Sequence, residues 1–130
     1  MVEEACEAWL LELFGLPEDA YFGLVTGCQM ANFTSLAAAR HSVLETVGWH
    51  VEADRLSGAP PIRIIAGEER HVTIDHVLRF LGLGTANLRT VPADDRGRMR
   101  PDAYHEMCSA LPSWQSQSRL RSCLRAWQTH

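Results

Sequence analysis

The sequence predicts one α/β domain in which helices alternate with the strands of a parallel sheet. Three short segments, at residues 20–27, 62–66 and 87–92, are strand candidates: the first is nearly all apolar and the second is rich in β-branched residues. Longer segments with apolar residues at helical spacing separate them. At 130 residues the chain is long enough for one ordinary domain and too short for two. Strands that alternate with helices are typical of parallel sheets joined by helical crossovers.

The N-terminal part is predicted to form two helices around one strand. Val2–Phe14 carries an apolar stripe at helical spacing and ends before Gly15. The run at residues 20–27, AYFGLVTG, is nearly all apolar and suits a strand that is buried on both faces. A second helix is expected from about Met30 to Val47, with Gly48 as its C-cap.

The middle of the chain continues the alternation. Residues 49–61 are rich in Ser, Gly and Pro and are expected to form a loop. The β-branched run at 62–66 is the second strand, and an amphipathic helix follows at Thr73–Leu81. Residues 87–92 are the third strand, and Pro101 suits the first position of a helix that continues through Leu111.

The last segment does not share this pattern. Residues 112–130 show neither strand alternation nor a convincing apolar stripe. We therefore divide the chain into residues 1–111, with α/β patterning, and residues 112–130, which we expect to be loose or at most a poorly packed helix. In such a segment Trp114 and Trp127 would be largely exposed.

Charge and cysteine content narrow the class of protein. The net charge is −4 and the arginines are scattered among acids, so a nucleic-acid surface is not expected. No apolar run is long enough to span a membrane, and the acidic start is unlike a secretory signal, which together predict a cytoplasmic protein. The four cysteines show no Cys-x-x-Cys spacing and are interpreted as reduced thiols.

The turn Thr26-Gly27-Cys28-Gln29 is the first candidate site. It joins a predicted strand to a predicted helix, where unsatisfied backbone N–H groups can bind an anion without a basic side chain. Gly27 allows close backbone approach, and Gln29 adds a side-chain donor. The alternative is an ordinary strand-to-helix turn in which Thr26 or Asn32 lies near a cap.

His71, at the start of the third predicted helix, is the second candidate. The segments GLVTGCQMANFTSLAAAR, GAPPIRIIAGEERHVTIDHVLRFLGLG and LRTVPADDRGRMRPDA occur in this order. Together they resemble the group II pyridoxal-phosphate-dependent amino-acid decarboxylases, relatives of aromatic amino-acid and glutamate decarboxylases, from roughly Ala5 to Leu111. The resemblance implies part of the large domain of a fold-type I pyridoxal-phosphate enzyme.

The resemblance assigns roles at both candidate sites. Cys28 and Gln29 match the contacts to the phosphate of pyridoxal 5'-phosphate, while Thr26 and Gly27 shape the turn. His71 matches the histidine that stacks on the pyridine ring and faces the substrate, a small-molecule amino acid. The implied activity is that of a carboxy-lyase.

The resemblance also implies groups that lie beyond the matched region. In the family the Schiff-base lysine, the aspartate that pairs with the pyridine nitrogen and a second histidine lie downstream, and a segment that helps to form the dimer lies upstream. All twelve basic residues here are arginine, so these 130 residues contain no lysine. We therefore expect a truncated form that does not bind the cofactor covalently and is inactive alone.

Truncation would also affect the sheet. In the family, the strands between residues 23–26 and residues 62–66 come from sequence downstream of Leu111. Residues 23–26 are therefore not expected to pair with residues 62–66, and pairing should be confined mainly to 62–66 and 88–91. The segment after Leu111 is interpreted as a disordered or out-of-frame tail.

Other functions stay open at this point. The chain could be an assembly piece that completes, or interferes with, a full-length or split homologue. A thiol enzyme could use Cys28, because a cysteine at a helix N-terminus can have a lowered pKa, although no base partner is evident. A zinc site at His71 and His76 is weaker still, because five residues separate them instead of one helical turn.

Overall fold

A computed structural model describes residues 2–17 and 20–116. Six helices and two strands occur in these ranges. In chain order they are α1 (Val2–Phe14), α2 (Cys28–Glu45), α3 (Val51–Asp54), β1 (Ile64–Gly67), α4 (Val72–Phe80), β2 (Leu88–Val91), α5 (Pro101–Ser109) and α6 (Ser113–Ser116).

The two strands form a parallel pair, which confirms the predicted α/β class. Ile64 lies opposite Leu88 and Gly67 lies opposite Val91. Helix α4 connects the end of β1 to the start of β2, so strand, helix and strand form one crossover unit. Helix α5 packs on both strands.

The core lies mainly between helices. Helix α2 packs against α4 and α3. The buried apolar side chains come from these three helices, from the residue after α4 and from β2: Val43, Leu44, Val51, Val77, Leu78, Leu81 and Val91. Leu44, Val77, Leu78 and Val91 are completely inaccessible to solvent, so the centre of the core combines the contact between α2 and α4 with one side chain of β2.

Several helix predictions are confirmed with shifted ends. Helix α1 has the predicted bounds, whereas α2 begins two residues before Met30 and ends before Val47. The chain turns at Gly48, whose φ of 73° suits glycine, and the Trp49 N–H donates to the Leu44 carbonyl at 3.1 Å. Pro101 occupies the first turn of α5, as expected.

The strand expected at residues 20–27 is wrong. Residues 20–25 form no regular element, and helix α2 begins at Cys28. A strand is maintained by hydrogen bonds to neighbouring strands, and the sheet of the described residues contains only β1 and β2. The expectation that pairing is confined to the second and third predicted strands is confirmed.

The loop expected at residues 49–61 contains the one-turn helix α3. Its first residue, Val51, is buried against the core, and the Asp54 carboxylate accepts a hydrogen bond from the His50 N–H at 3.3 Å. These two local interactions favour a helical turn that composition alone does not predict.

The expected exposure of Trp114 is wrong as well. Trp114 is half-buried in α6, and its carbonyl accepts a hydrogen bond from Thr46 Oγ1 at 3.4 Å. The neighbouring Gln115 accepts from the Arg63 N–H at 3.1 Å and donates to the Arg63 carbonyl. These bonds attach α6 to the residues that lead into β1. The expectation for Trp127 lies outside the described residues.

Candidate functional site

The first turn of α2 presents its backbone donors without a cap. Gly27 is the N-cap residue, and no side chain caps this end of the helix. The first helical bond runs from the Ala31 N–H to the Gly27 carbonyl at 3.0 Å, so the N–H groups of residues 28–30 point away from the helix. Neither Thr26 nor Asn32 caps α2 with its side chain, although Thr26 directly precedes the N-cap Gly27. The first turn also has no acidic residue to oppose an anion.

An open cavity of about 400 Å³ lies beside this turn. Its walls combine the turn with aromatic and apolar side chains from α2 and α4: Thr26, Gly27, Gln29, Met30, Phe33 and Phe80. Apart from Gly27 itself and the residues on either side of it, no atom lies within 4 Å of the position that a Cβ on Gly27 would occupy. The cavity is therefore bordered both by the polar turn and by aromatic side chains. Cys28 is exposed but does not line it.

His71 is the N-cap of α4. Its Nδ1 accepts a hydrogen bond from the Thr73 N–H at 3.2 Å and lies 3.0 Å from Thr73 Oγ1. The side chain is exposed and is not one of the residues that line the cavity beside the turn. The structure thus brings Thr26, Gly27 and Gln29 together around the cavity, while His71 lies at the start of the neighbouring helix.

Two hydrogen bonds align α2 with α4. Asn32 Nδ2 donates to Thr73 Oγ1 at 3.0 Å, and Arg40 Nη1 donates to the Leu81 carbonyl at 2.9 Å. Both bonds join residues that are 41 positions apart, so the two helices run side by side in the same direction. Their N-termini therefore lie at the same end of the pair. The positive ends of both helix dipoles, together with the turn and His71, face this end.

The segment before His71 is attached to the sheet. Arg70 Nε donates to Asp75 Oδ1 at 3.2 Å, and Arg70 Nη1 donates to Thr90 Oγ1 at 3.4 Å. The guanidinium thus joins the first turn of α4 to β2 in a half-buried position. This arrangement places His71 just beyond the carboxyl end of β1, the edge of a parallel sheet at which ligands commonly bind.

The carboxyl groups with shifted pKa values lie on other elements. A hydrogen bond from His41 lowers the pKa of Glu52 at α3. Hydrogen bonds from Arg98 lower the pKa of Asp94 in the turn after β2, and those from Arg100 lower the pKa of Asp102 in α5. These ion pairs are at the surface and organise loops, and none of these carboxylates lines the cavity.

The alternative chemistries gain no support from geometry. Cys28 is an exposed free thiol at the start of α2, and no histidine is hydrogen-bonded to it within residues 2–17 and 20–116. Over the same ranges, no three His, Cys, Asp or Glu side chains lie close enough to hold a metal ion. Likewise, no helix there is long and apolar enough to cross a membrane.

Sequence reasoning missed several residues of the cavity and of the contact between α2 and α4. Met30, Phe33 and Phe80 line the cavity, and Asn32 and Thr73 connect the two helices. The phenylalanines resemble ordinary core residues in the sequence, and Phe80 is in fact 67% exposed. The sequence indicates Asn32 only as a residue near a cap, and its contact with Thr73, 41 positions away, depends on the packing of two helices.

Comparisons with known proteins identify relatives for most of the chain. No known family profile matches the sequence. The acidic amino acid decarboxylase GADL1 of Xenopus tropicalis is 31% identical over 103 residues, which are 78% of this chain and 19% of the relative. The cysteine sulfinic acid decarboxylase of Mus musculus is 45% identical over 47 residues, which are 36% of this chain and 10% of that protein.

A solved structure agrees with these sequence matches. The crystal structure of mouse CSAD matches the fold with a TM-score of 0.70 at 29% identity, covering 82% of this chain and 21% of that chain. The chain thus spans about a fifth of the length of the relatives that it matches along most of its sequence.

Proposed function

Because the chain belongs to the group II pyridoxal-phosphate-dependent amino-acid decarboxylases and corresponds to part of their large domain, we propose that it provides one side of a pyridoxal-phosphate site. In this proposal residues 1–111 are the partial cofactor-binding domain and residues 112–130 lie outside it. The reaction served is decarboxylation of a small-molecule amino acid.

The uncapped first turn of α2 is the observation that carries this proposal. Its free N–H groups, the open space beside Gly27 and the absence of an acidic side chain suit a phosphate group. Phe33 and Phe80 line the adjoining cavity, whereas His71, which the family assigns to the pyridine ring, lies outside that lining. The observed geometry therefore supports the phosphate contact, and the contact of His71 with the ring is carried over from the family.

The residues of this chain have distinct tasks in the proposal. The N–H groups of Cys28 and Gln29, with the Gln29 side chain, hold the phosphate, while Thr26 and Gly27 shape the turn. His71 stacks on the pyridine ring and orients it. When bound, pyridoxal phosphate supplies an electron sink for the charge that is left when carbon dioxide departs.

These 130 residues contain no lysine, so the amine that holds the cofactor covalently must come from outside them. We infer that this stretch alone binds pyridoxal phosphate without a covalent bond and does not catalyse decarboxylation. The catalytic unit would then include a lysine-bearing segment, and in the family the full-length enzyme is a dimer. The cytoplasmic location stays a prediction.

A second candidate function, assembly with a homologue or a complementary half, is favoured by exposed apolar side chains. In α1, Trp9, Leu13 and Phe14 are between 64 and 74% exposed, and Tyr21 and Leu24 in the segment before α2 are 98 and 65% exposed. Exposed large apolar side chains in such number favour an interface. Assembly is compatible with the cofactor site, because the Schiff-base lysine, which these 130 residues do not contain, would come from another segment.

Titration with a cofactor analogue tests the proposal. Pyridoxine 5'-phosphate keeps the ring and phosphate but has no aldehyde, so it reports non-covalent binding only. In ¹⁵N-labelled protein we expect it to shift the amide resonances of residues 28–30, whereas pyridoxine without phosphate leaves them unchanged. Equal shifts with both compounds, or shifts confined to residues away from α2, would reject the phosphate site.

A mixing experiment tests the reaction. The lysine-bearing remainder of a homologous decarboxylase, expressed separately, should release carbon dioxide from an amino acid only when this chain is added. If activity does not depend on this chain at any molar ratio of the two proteins, the catalytic part of the proposal fails. The titration with pyridoxine 5'-phosphate then still tests the phosphate site.

A further inference from the structure

A hydrogen-bonded chain of three side chains joins α2 to the ring of His71. Asn32 Nδ2 donates to Thr73 Oγ1 at 3.0 Å, and Thr73 Oγ1 lies 3.0 Å from His71 Nδ1. The Thr73 N–H donates to the same His71 nitrogen at 3.2 Å. Asn32 and Thr73 are half-buried, whereas His71 is exposed.

The chemistry of these groups fixes the direction of the hydrogen bonds. A backbone N–H can only donate, so His71 Nδ1 is an acceptor and carries no proton. The asparagine NH₂ also only donates, so Thr73 Oγ1 accepts from it and uses its own O–H to donate to His71 Nδ1. The remaining ring nitrogen, Nε2, then carries the proton of the neutral imidazole.

We propose that Asn32 and Thr73 are positioning residues that hold His71 as its Nε2–H tautomer and fix the plane of its ring. This role rests on the proposed cofactor site, in which His71 stacks on the pyridine ring. Two donors to one ring nitrogen restrict rotation about χ2, because rotation of the ring would break both bonds. The bond from Asn32 ties this ring orientation to the helix whose first turn is proposed to hold the phosphate.

The proposal assigns a function to two residues that touch neither the phosphate turn nor the cavity. Asn32 lies one turn into α2 and points to α4, and Thr73 lies in the first turn of α4. Their effect on a ligand would be indirect, through the histidine. Variants should therefore change the state of the imidazole without removing the uncapped N–H groups of residues 28–30.

Nitrogen NMR of the imidazole rings in the complete 130-residue chain tests this arrangement without cofactor. His71 is assigned with His71→Gln, and spectra are recorded near pH 8. We expect Nδ1 to show the shift of an unprotonated acceptor and Nε2 that of a protonated nitrogen. Thr73→Val removes one of the two donors and should raise the population of the Nδ1–H tautomer about fivefold relative to the Nε2–H tautomer. Thr73→Ser keeps the hydroxyl and should restore the original ratio.

Asn32→Asp tests the direction of the hydrogen bonds in this chain of side chains. A carboxylate cannot donate, so the Thr73 hydroxyl would turn to the new carboxylate and leave His71 Nδ1 with the backbone donor alone. The variant should therefore show the tautomer ratio of Thr73→Val. An unchanged ratio in Asn32→Asp, or in Thr73→Val with wild-type helix content by circular dichroism, overturns the proposal. If Thr73→Val loses helix content, the tautomer ratios of Asn32→Asp and Thr73→Ser test the proposal instead.

Addition of pyridoxine 5'-phosphate separates this inference from the proposed function. If both hold, the ligand shifts the amides of residues 28–30 in all variants, whereas the shift at the His71 ring is reduced in Thr73→Val and restored in Thr73→Ser. A fixed tautomer together with no ligand effect at residues 28–30 would reject the cofactor site and keep the hydrogen-bonded chain. Ligand-induced shifts at residues 28–30 with no tautomer preference at His71 would keep the cofactor site and reject the hydrogen-bonded chain.

Discussion

Replacement of Gln29 by Glu should strengthen helix α2 and weaken its binding to a phosphate-bearing ligand. Gln29 lies in the first turn of α2, lines the cavity, and has no acidic neighbour in that turn. A carboxylate at this position interacts favourably with the positive end of the helix dipole, by about 0.3–1 kcal/mol. The same charge repels a phosphate at the same N–H groups. The two effects have opposite signs and can be measured separately.

The size of the repulsion follows from the exposure of the turn. Residues 26–30 are all exposed, so the interaction occurs in a medium close to water. Two unit charges about 4 Å apart then repel each other by about 1 kcal/mol. A phosphate dianion would lose about 2 kcal/mol, which corresponds to about a thirtyfold higher Kd. Salt should reduce this difference, because exposed charges are screened.

Calorimetric titration with pyridoxine 5'-phosphate, with helix content followed by circular dichroism, is the assay. Gln29→Leu removes the side-chain donor without adding charge and should raise the Kd only about fivefold. Ala38→Glu adds the same charge to an exposed position of α2, about 14 Å further along the helix axis. This distance exceeds the screening length of roughly 8 Å at physiological salt, so binding should be unaffected. Equal weakening by Ala38→Glu, or wild-type affinity in Gln29→Glu, would refute the assignment of the phosphate to this turn.

Four further predictions concern the cofactor, the histidine, the core and acid stability. Borohydride reduction in the presence of pyridoxal phosphate should yield no internal pyridoxyl adduct by mass spectrometry, because these residues include no lysine; a stoichiometric internal adduct would contradict this. In an active mixture with a lysine-bearing segment of a homologous decarboxylase, His71→Ala should slow decarboxylation much more than it raises the cofactor Kd, and unchanged activity would remove the residue from the site. Leu44→Ala should destabilise the fold by about 2–5 kcal/mol in urea unfolding, because this side chain is fully buried, whereas the exposed Phe80 tolerates alanine with a small change. Hydrogen bonds from Arg98 lower the pKa of Asp94, so the ionised carboxylate stabilises its turn at pH values above the usual carboxyl pKa. This stabilisation is lost as the pH falls through the lower pKa of the folded state. Amide exchange should therefore show protection of the Arg98 N–H that disappears in acid, and Asp94→Asn should abolish this protection at neutral pH.

The sequence was most informative about helices and least informative about the first strand. An amphipathic period identifies α4, and proline marks the start of α5, because these signals act within a few residues. The apolar run at residues 20–25 has strand composition, yet it forms no strand in the described structure. Strand formation depends on neighbouring strands that local sequence does not contain.

The candidate site was likewise predictable from the sequence only in part. The turn with Gly27, the anion preference of its N–H groups and the absence of lysine could be deduced from the sequence, because they depend on local backbone chemistry and composition. Only the tertiary structure decided that α2 and α4 run in the same direction with Asn32 bonded to Thr73, which brings the start of both helices to one end. That arrangement depends on packing around Leu44 and Leu78 between segments more than 30 residues apart, and no local pattern records it.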